Sequence, residues 1–169
     1  LLSDAMSHIA PCYPYRDRGD GESEAEYGLR VANELETEIQ RLGPGNVAAF
    51  VAEPVVGATL GSQPAVPGYF QRIRQICDAH GVLLIADEVM SGMGRCGTLY
   101  AMEHEGVAAD LIVMAKGLGG GMPVGAVLAT KEAAAGMVAG THGSTYGGNP
   151  MSMAAVNAVL DVVLADGFL

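Results

Sequence analysis

Apolar positions along the chain change their spacing several times, and each change marks an element. Between Glu24 and Leu42, residues Val31, Leu35, Ile39 and Leu42 recur every three or four positions, one face of a helix. Gly43-Pro44-Gly45 stops that helix. Residues 47–56 form an apolar run around Glu53-Pro54, which predicts a buried strand ending near Gly57 and followed by a loop to Pro67. Pro67 and Gly68 then open a second helix, with Phe70, Ile73, Ile76 and Cys77 inward and Gly81 as its stop after His80. The run V-L-L-I-A (82–86) predicts another buried strand, closed by the acidic pair Asp87-Glu88.

Residues 111–115 and 124–130 predict two more strands, the first ending at Lys116. Only residues 115–123 join them, too short for the crossover of about a dozen residues that parallel neighbours need. These two strands are therefore expected to pair antiparallel in an otherwise parallel sheet. Helices are expected over 131–138 and 150–165, and residues 1–23, with Pro11, Pro14, Gly19 and Gly21, read as an extended lead-in. The fold class that follows is α/β: three layers, with a mostly parallel sheet flanked by helices.

Composition narrows this picture. At 169 residues, half of them apolar, the chain suits one compact domain and is tight for two. A net charge of -10 without a Lys/Arg cluster argues against nucleic-acid binding. Cys12, Cys77 and Cys96 have no metal or redox spacing and suit a reducing cytoplasm. No apolar run reaches membrane-spanning length, and no basic-then-apolar leader opens the chain. The start at Leu1 and the stop at D-G-F-L inside a helical pattern read as a piece of a longer polypeptide.

Ligands of open α/β sheets sit outside the carboxyl ends of the strands. Three such ends carry Glu53, Asp87 and Lys116, so two carboxylates and a lysine are expected at one crevice. Lys116, followed by G-L-G-G-G, is a candidate nucleophile toward a carbonyl if partial burial depresses its pKa; the alternative is a lysine marking a strand edge. Asp87 can keep a pyridinium nitrogen protonated, or merely cap the next turn. Four apolar residues before Asp-Glu also match a magnesium-binding box, but the phosphate loop that reading needs does not precede it here. Gly92 to Gly97 matches G-x-G-x-x-G weakly, being separated from its strand by Asp87 to Ser91. The segment T-H-G-S-T-Y-G-G-N-P (141–150) sets hydroxyls and glycines ahead of a helix start, either a phosphate site or an N-cap loop. The histidines show no metal-ligand spacing, and no metal is expected.

The strings A-E-P-V-V-G (52–57), L-L-I-A-D-E-V (83–89), A-D-L-I-V-M-A-K-G-L-G-G-G (109–121) and H-G-S-T-Y-G-G-N-P (142–150) together resemble class III aminotransferases, in order and spacing. Residues 1–121 are most similar to the omega type, and residues from Met122 onward to acetylornithine aminotransferases. The resemblance implies the large-domain core of the pyridoxal-phosphate fold type I enzymes, present here in part over 1–169. It implies pyridoxal 5'-phosphate as cofactor, Lys116 as the Schiff-base lysine and proton carrier, and Asp87 on the pyridine nitrogen. Val89 would lie on a ring face, and Glu53 at the substrate end. Ser144 and Thr145 would serve the cofactor phosphate, Thr145 that of the partner subunit, so a homodimer is implied. Met90 departs from the Gln that many members carry.

The activity implied is transfer of an amino group from an amine or amino acid to a keto acid or aldehyde. Two other functions stay open: a nicotinamide-dependent oxidoreductase resting on Gly92 to Gly97, and a folded chain too incomplete to turn over.

Overall fold

A computed structural model describes residues 5–169. The lead-in is not simply extended, because Pro14–Asp17 winds into one helical turn, α1. It is strapped to the next helix: Ala10 N–H donates to Glu34 (2.9 Å), Tyr13 N–H to the Tyr27 hydroxyl (2.7 Å), and the Ser7 hydroxyl to Glu38. That helix, α2, spans Glu24–Leu42 as its apolar spacing predicts. Ser23 and Glu26 close its N-terminus as a reciprocal capping box, and Gly43 ends it at φ 91°. Tyr27, Val31, Leu35 and Ile39 are buried, while Leu42, last in the stripe, stays partly exposed.

The expected strand over 47–56 is two strands. β1 (Ala49–Ala52) joins the main sheet, and β2 (Val55–Val56) pairs antiparallel with β3 (Gln63–Pro64). Glu53-Pro54 makes the break, since a proline offers no N–H to continue a ladder. Helix α3 (Tyr69–His80) is bracketed by Gly68 and Gly81, both in the left-handed region. β4 (Leu83–Asp87), the short α4 (Met102–Glu105), β5 (Leu111–Met114), β6 (Ala126–Ala129) and α5 (Pro150–Val163) follow. The helix expected over 131–138 is only a 3-10 turn, Ala133–Gly136, with no buried side chain to anchor it.

The main sheet runs β1-β4-β5-β6. Its first three strands are parallel, and β6 is antiparallel to β5, as the short connection requires. Leu84 and Ala86 of β4 face α2 and α3, forming the core with Phe70, Ile73, Ile76 and Cys77. Met114 lies on the same face, in a smaller cluster with Met93 and Leu118, against which Val156, Val159 and Leu160 of α5 pack. No residue of the opposite face, which carries Val51, Ile85, Val113 and Val127, joins either cluster. Val51 and Val127 there are 58% and 59% exposed. The α/β class expected is borne out: a mostly parallel sheet flanked by helices, which among the described residues pack on one face. None of their helices is long and apolar enough to cross a membrane.

At the amino ends of the strands, Asp110 accepts from Leu84 N–H and from Arg74, both at 2.7 Å, and Arg74 also reaches Asp78. Burial pushes the Asp110 carboxyl up, but the Arg74 guanidinium and the Leu84 N–H outweigh it and hold it below the ordinary aspartate range. This network fixes the stagger of β4 on β5 and leaves the opposite ends free.

Candidate active site

The parallel register carries Glu53, Asp87 and Lys116 to one edge. Ala52 pairs with Ala86, so Glu53 and Asp87 follow at the same level on adjacent strands. Asp87 pairs with Val113, and Lys116 follows β5 directly after Met114 and Ala115. Neighbouring strands lie ~4.8 Å apart, so the three groups span an edge on the order of 10 Å wide.

Asp87 is half-buried at the last position of β4. Its Oδ1 accepts the Val89 N–H at 3.0 Å, so it does cap the following turn. Its Oδ2 has no partner among the described residues and is available to a ligand. The second acid of the pair, Glu88, turns inward: it is 1% exposed and accepts from Ser91 Oγ (2.6 Å) and Met102 N–H (2.8 Å). Sequence spacing did not separate these two acids; strand parity does, because consecutive side chains leave on opposite sides.

Lys116 opens a 3-10 turn, Lys116–Gly119, at φ 43°, a left-handed conformation unusual for a side-chain-bearing residue. The partial burial expected of it is absent in this chain. Its side chain is exposed and makes no hydrogen bond or ion pair among the described residues. Around it the turn is tight. A Cβ on Gly119 would fall 2.7 Å from Val124 Cγ1, and one on Gly120 2.9 Å from Val159 Cγ2 of α5. The glycines here serve close approach rather than slack.

Glu53 bends back to accept the Gly57 N–H at 3.0 Å, and Met90 packs over Gly57, with Cγ 3.2 Å from where a Cβ would stand. Glu53 also lines an apolar cavity of about 610 Å³ between the lead-in, α2 and β1, which does not extend to Asp87 or Lys116. Val89 is half-buried beside Asp87.

Ser144 and Thr145 make no hydrogen bond to Glu53, Asp87 or Lys116 among the described residues. They stand in an exposed loop before α5. The helix start they precede is already capped, since Asn149 accepts the Ser152 N–H at 2.9 Å and Pro150 has no N–H to offer. Gly92 to Gly97 forms a series of turns, and the next helix, α4, starts only at Met102, so the dinucleotide geometry is not built. Among the described residues no group of His, Cys, Asp and Glu is placed to hold a metal.

The family profile described as Aminotransferase class-III matches residues 3–169. An aminotransferase of Gibberella zeae is 42% identical over the whole of this chain, which covers 34% of that protein. An acetylornithine aminotransferase of Mesorhizobium japonicum is 59% identical over 72% of this chain and 30% of its own length. That stretch is far longer than the segment from Met122 to Leu169, so similarity to this group extends upstream of Met122. An omega-aminotransferase structure from Paracoccus denitrificans superposes with a TM-score of 0.90 at 34% identity, covering 99% of this chain and 39% of that one. The chain spans about a third of the length of these relatives.

Proposed function

The chain belongs to the class III aminotransferases, and on that premise we propose that residues 1–169 are part of the cofactor-binding domain of a transaminase whose cofactor lysine is Lys116. The carrying observation is a lysine without a competing partner and an acid with an uncommitted oxygen on the ends of adjacent parallel strands. This donor set fits pyridoxal 5'-phosphate, on which the family depends. When bound, that cofactor supplies a protonated ring that withdraws electrons from the substrate carbon.

Each residue then has a defined task. Lys116 Nζ would hold the cofactor through its carbonyl carbon and would serve as the base that carries a proton at the reacting carbon. Asp87 Oδ2 holds the ring nitrogen in its protonated form, while the bond from Val89 N–H fixes the carboxylate's orientation. Val89, half-buried beside Asp87, would offer an apolar side chain to a ring face. Glu53, tied to Gly57, stands at the substrate end. The substrates are an amine or amino acid as donor and a keto acid or aldehyde as acceptor. Ser144 and Thr145, exposed on their loop, bind cofactor phosphate across a homodimer, Thr145 that of the partner subunit. Three unpaired cysteines suit the cytoplasm as its compartment.

Borohydride reduction after addition of pyridoxal phosphate, followed by peptide mapping, tests the assignment. The adduct is expected on Lys116 and is lost in Lys116→Ala; an adduct on Lys131 overturns it. The exposure of Lys116 and Thr145 favours a second reading for the chain on its own: a folded protein that holds cofactor weakly and does not turn over. Trapping at Lys116 without consumption of any amine donor would select that reading.

A further inference from the structure

Two side-chain-bearing residues with left-handed backbone stand close together in this protein, one on either side of the contact at Gly117. Lys116 has φ 43° and Met93 has φ 57°. A Cβ added to Gly117, the residue after the lysine, would stand 3.5 Å from Met93 Cβ. Met93 is 9% exposed and forms one buried cluster with Met114 and Leu118. Those two partners sit two residues before and two residues after Lys116. The exposed lysine therefore leaves a segment whose two flanks are packed into one buried cluster with Met93.

Met93 is itself fixed. Its N–H donates to Leu99 O at 2.8 Å, and Gly92 before it lies too close to Glu88 for any Cβ, 2.8 Å from the carbonyl oxygen. Glu88 directly follows Asp87 in the chain. The turn after β4 thus ties the acid at the end of that strand to the lysine at the end of the next. Outlying backbone conformations persist only where surrounding packing over-determines them. Here the packing that does so for Lys116 is the Met93 cluster.

We propose that Met93 is the positioning residue of Lys116, setting the direction in which the amine leaves the 116–119 turn. It touches no substrate and acts through Met114, Gly117 and Leu118. The proposal rests on Lys116 being the cofactor lysine, and the test keeps the two apart.

Met93→Gly removes the side chain while easing the positive φ, so any loss comes from packing and not from backbone strain. Met93→Leu keeps the volume in a well-tolerated exchange. Hydrogen exchange reads the turn without cofactor. The Leu118 and Gly120 amides, which donate to Ala115 O (2.9 Å) and Gly117 O (3.2 Å), should lose protection in Met93→Gly while α3 amides keep theirs. The second readout is borohydride trapping with pyridoxal phosphate, scored as the ratio of adduct on Lys116 to adduct on exposed Lys131 in the same molecules. Protection of the α3 amides in the same samples gives the folded fraction at which that ratio is compared.

A fall in the ratio on the order of tenfold or more in Met93→Gly, restored in Met93→Leu, supports the assignment. Unchanged protection, or an unchanged ratio, overturns it while leaving Lys116 in place. Absence of Lys116 trapping in the unsubstituted protein overturns the cofactor assignment and this role with it. Should Met93→Gly lose α3 protection as well, Met93→Ala is scored by the same two measurements.

Discussion

The α2–α3–β4 layer and the β6–α5 arm of this molecule are built to different standards of completeness. In the first, Tyr27, Val31, Phe70, Ile73, Ile76, Cys77 and Leu84 are all at most 1% exposed, and both helices are bracketed by glycine or a capping box. In the second, every residue of β6 but Ala126 is exposed, and Met137, Val138, Tyr146 and Met151 present apolar side chains to solvent. Apolar composition is therefore not what separates them; the availability of a facing layer is. The lysine turn sits on the seam between the two, with the finished core to one side and the sparse Met93–Met114–Leu118 cluster to the other on the same face. A site at such a seam inherits rigidity from one side and accessibility from the other.

Substitutions in the two regions should expose this contrast. Ile73→Ala, in the finished layer, is expected to cost about 3–4 kcal/mol in denaturant unfolding. A cost below 1 kcal/mol would mean that this core is not the stabilising unit. Asp110→Asn comes next, at about 2 kcal/mol near neutral pH, because it unpairs Arg74 and weakens the bond to Leu84 N–H. The folded-state carboxyl is held low, so its contribution is present above the unfolded Asp pKa of about 4 and disappears as pH falls through the folded value. Wild-type and Asp110→Asn stabilities should accordingly converge in acid; a gap that widens there contradicts the network. Ser23→Ala, removing half of the capping box on α2, should cost about 1 kcal/mol. Smallest of all, Val127→Thr on exposed β6 is expected to change stability by less than about 0.5 kcal/mol. A larger loss would show that the outer strand is packed in solution.

The same contrast explains what was legible in the sequence. Helix α2 follows from its apolar stripe and its Gly43 stop, and β6 runs antiparallel because residues 115–123 leave no room for a crossover. Glu53, Asp87 and Lys116 share an edge because strand ends share an edge in parallel sheets. What escaped depended on contacts between distant residues. α1 is held against α2 by Tyr13 N–H on Tyr27 and Arg30 on Asp17 O, neither of which leaves a local pattern. The inward turn of Glu88 needs the Met102 N–H fourteen positions away. The 131–138 segment has good helical propensity in its alanines, yet no partner surface to bury them, and forms a single 3-10 turn. Exposure of Lys116 was equally unreadable, since burial at a strand end is decided by whatever lies across the crevice.

The bare sheet face carrying Val51, Ile85, Val113 and Val127 also sets the colloidal behaviour of this polypeptide. Its net charge of -10 makes copies repel one another, while that face makes them adhere on contact. The range of the repulsion shrinks from ~30 Å at 0.01 M salt to ~10 Å at 0.1 M, whereas apolar adhesion is not screened. Dilute buffer should therefore keep the protein dispersed, and added salt should drive it together before any unfolding begins.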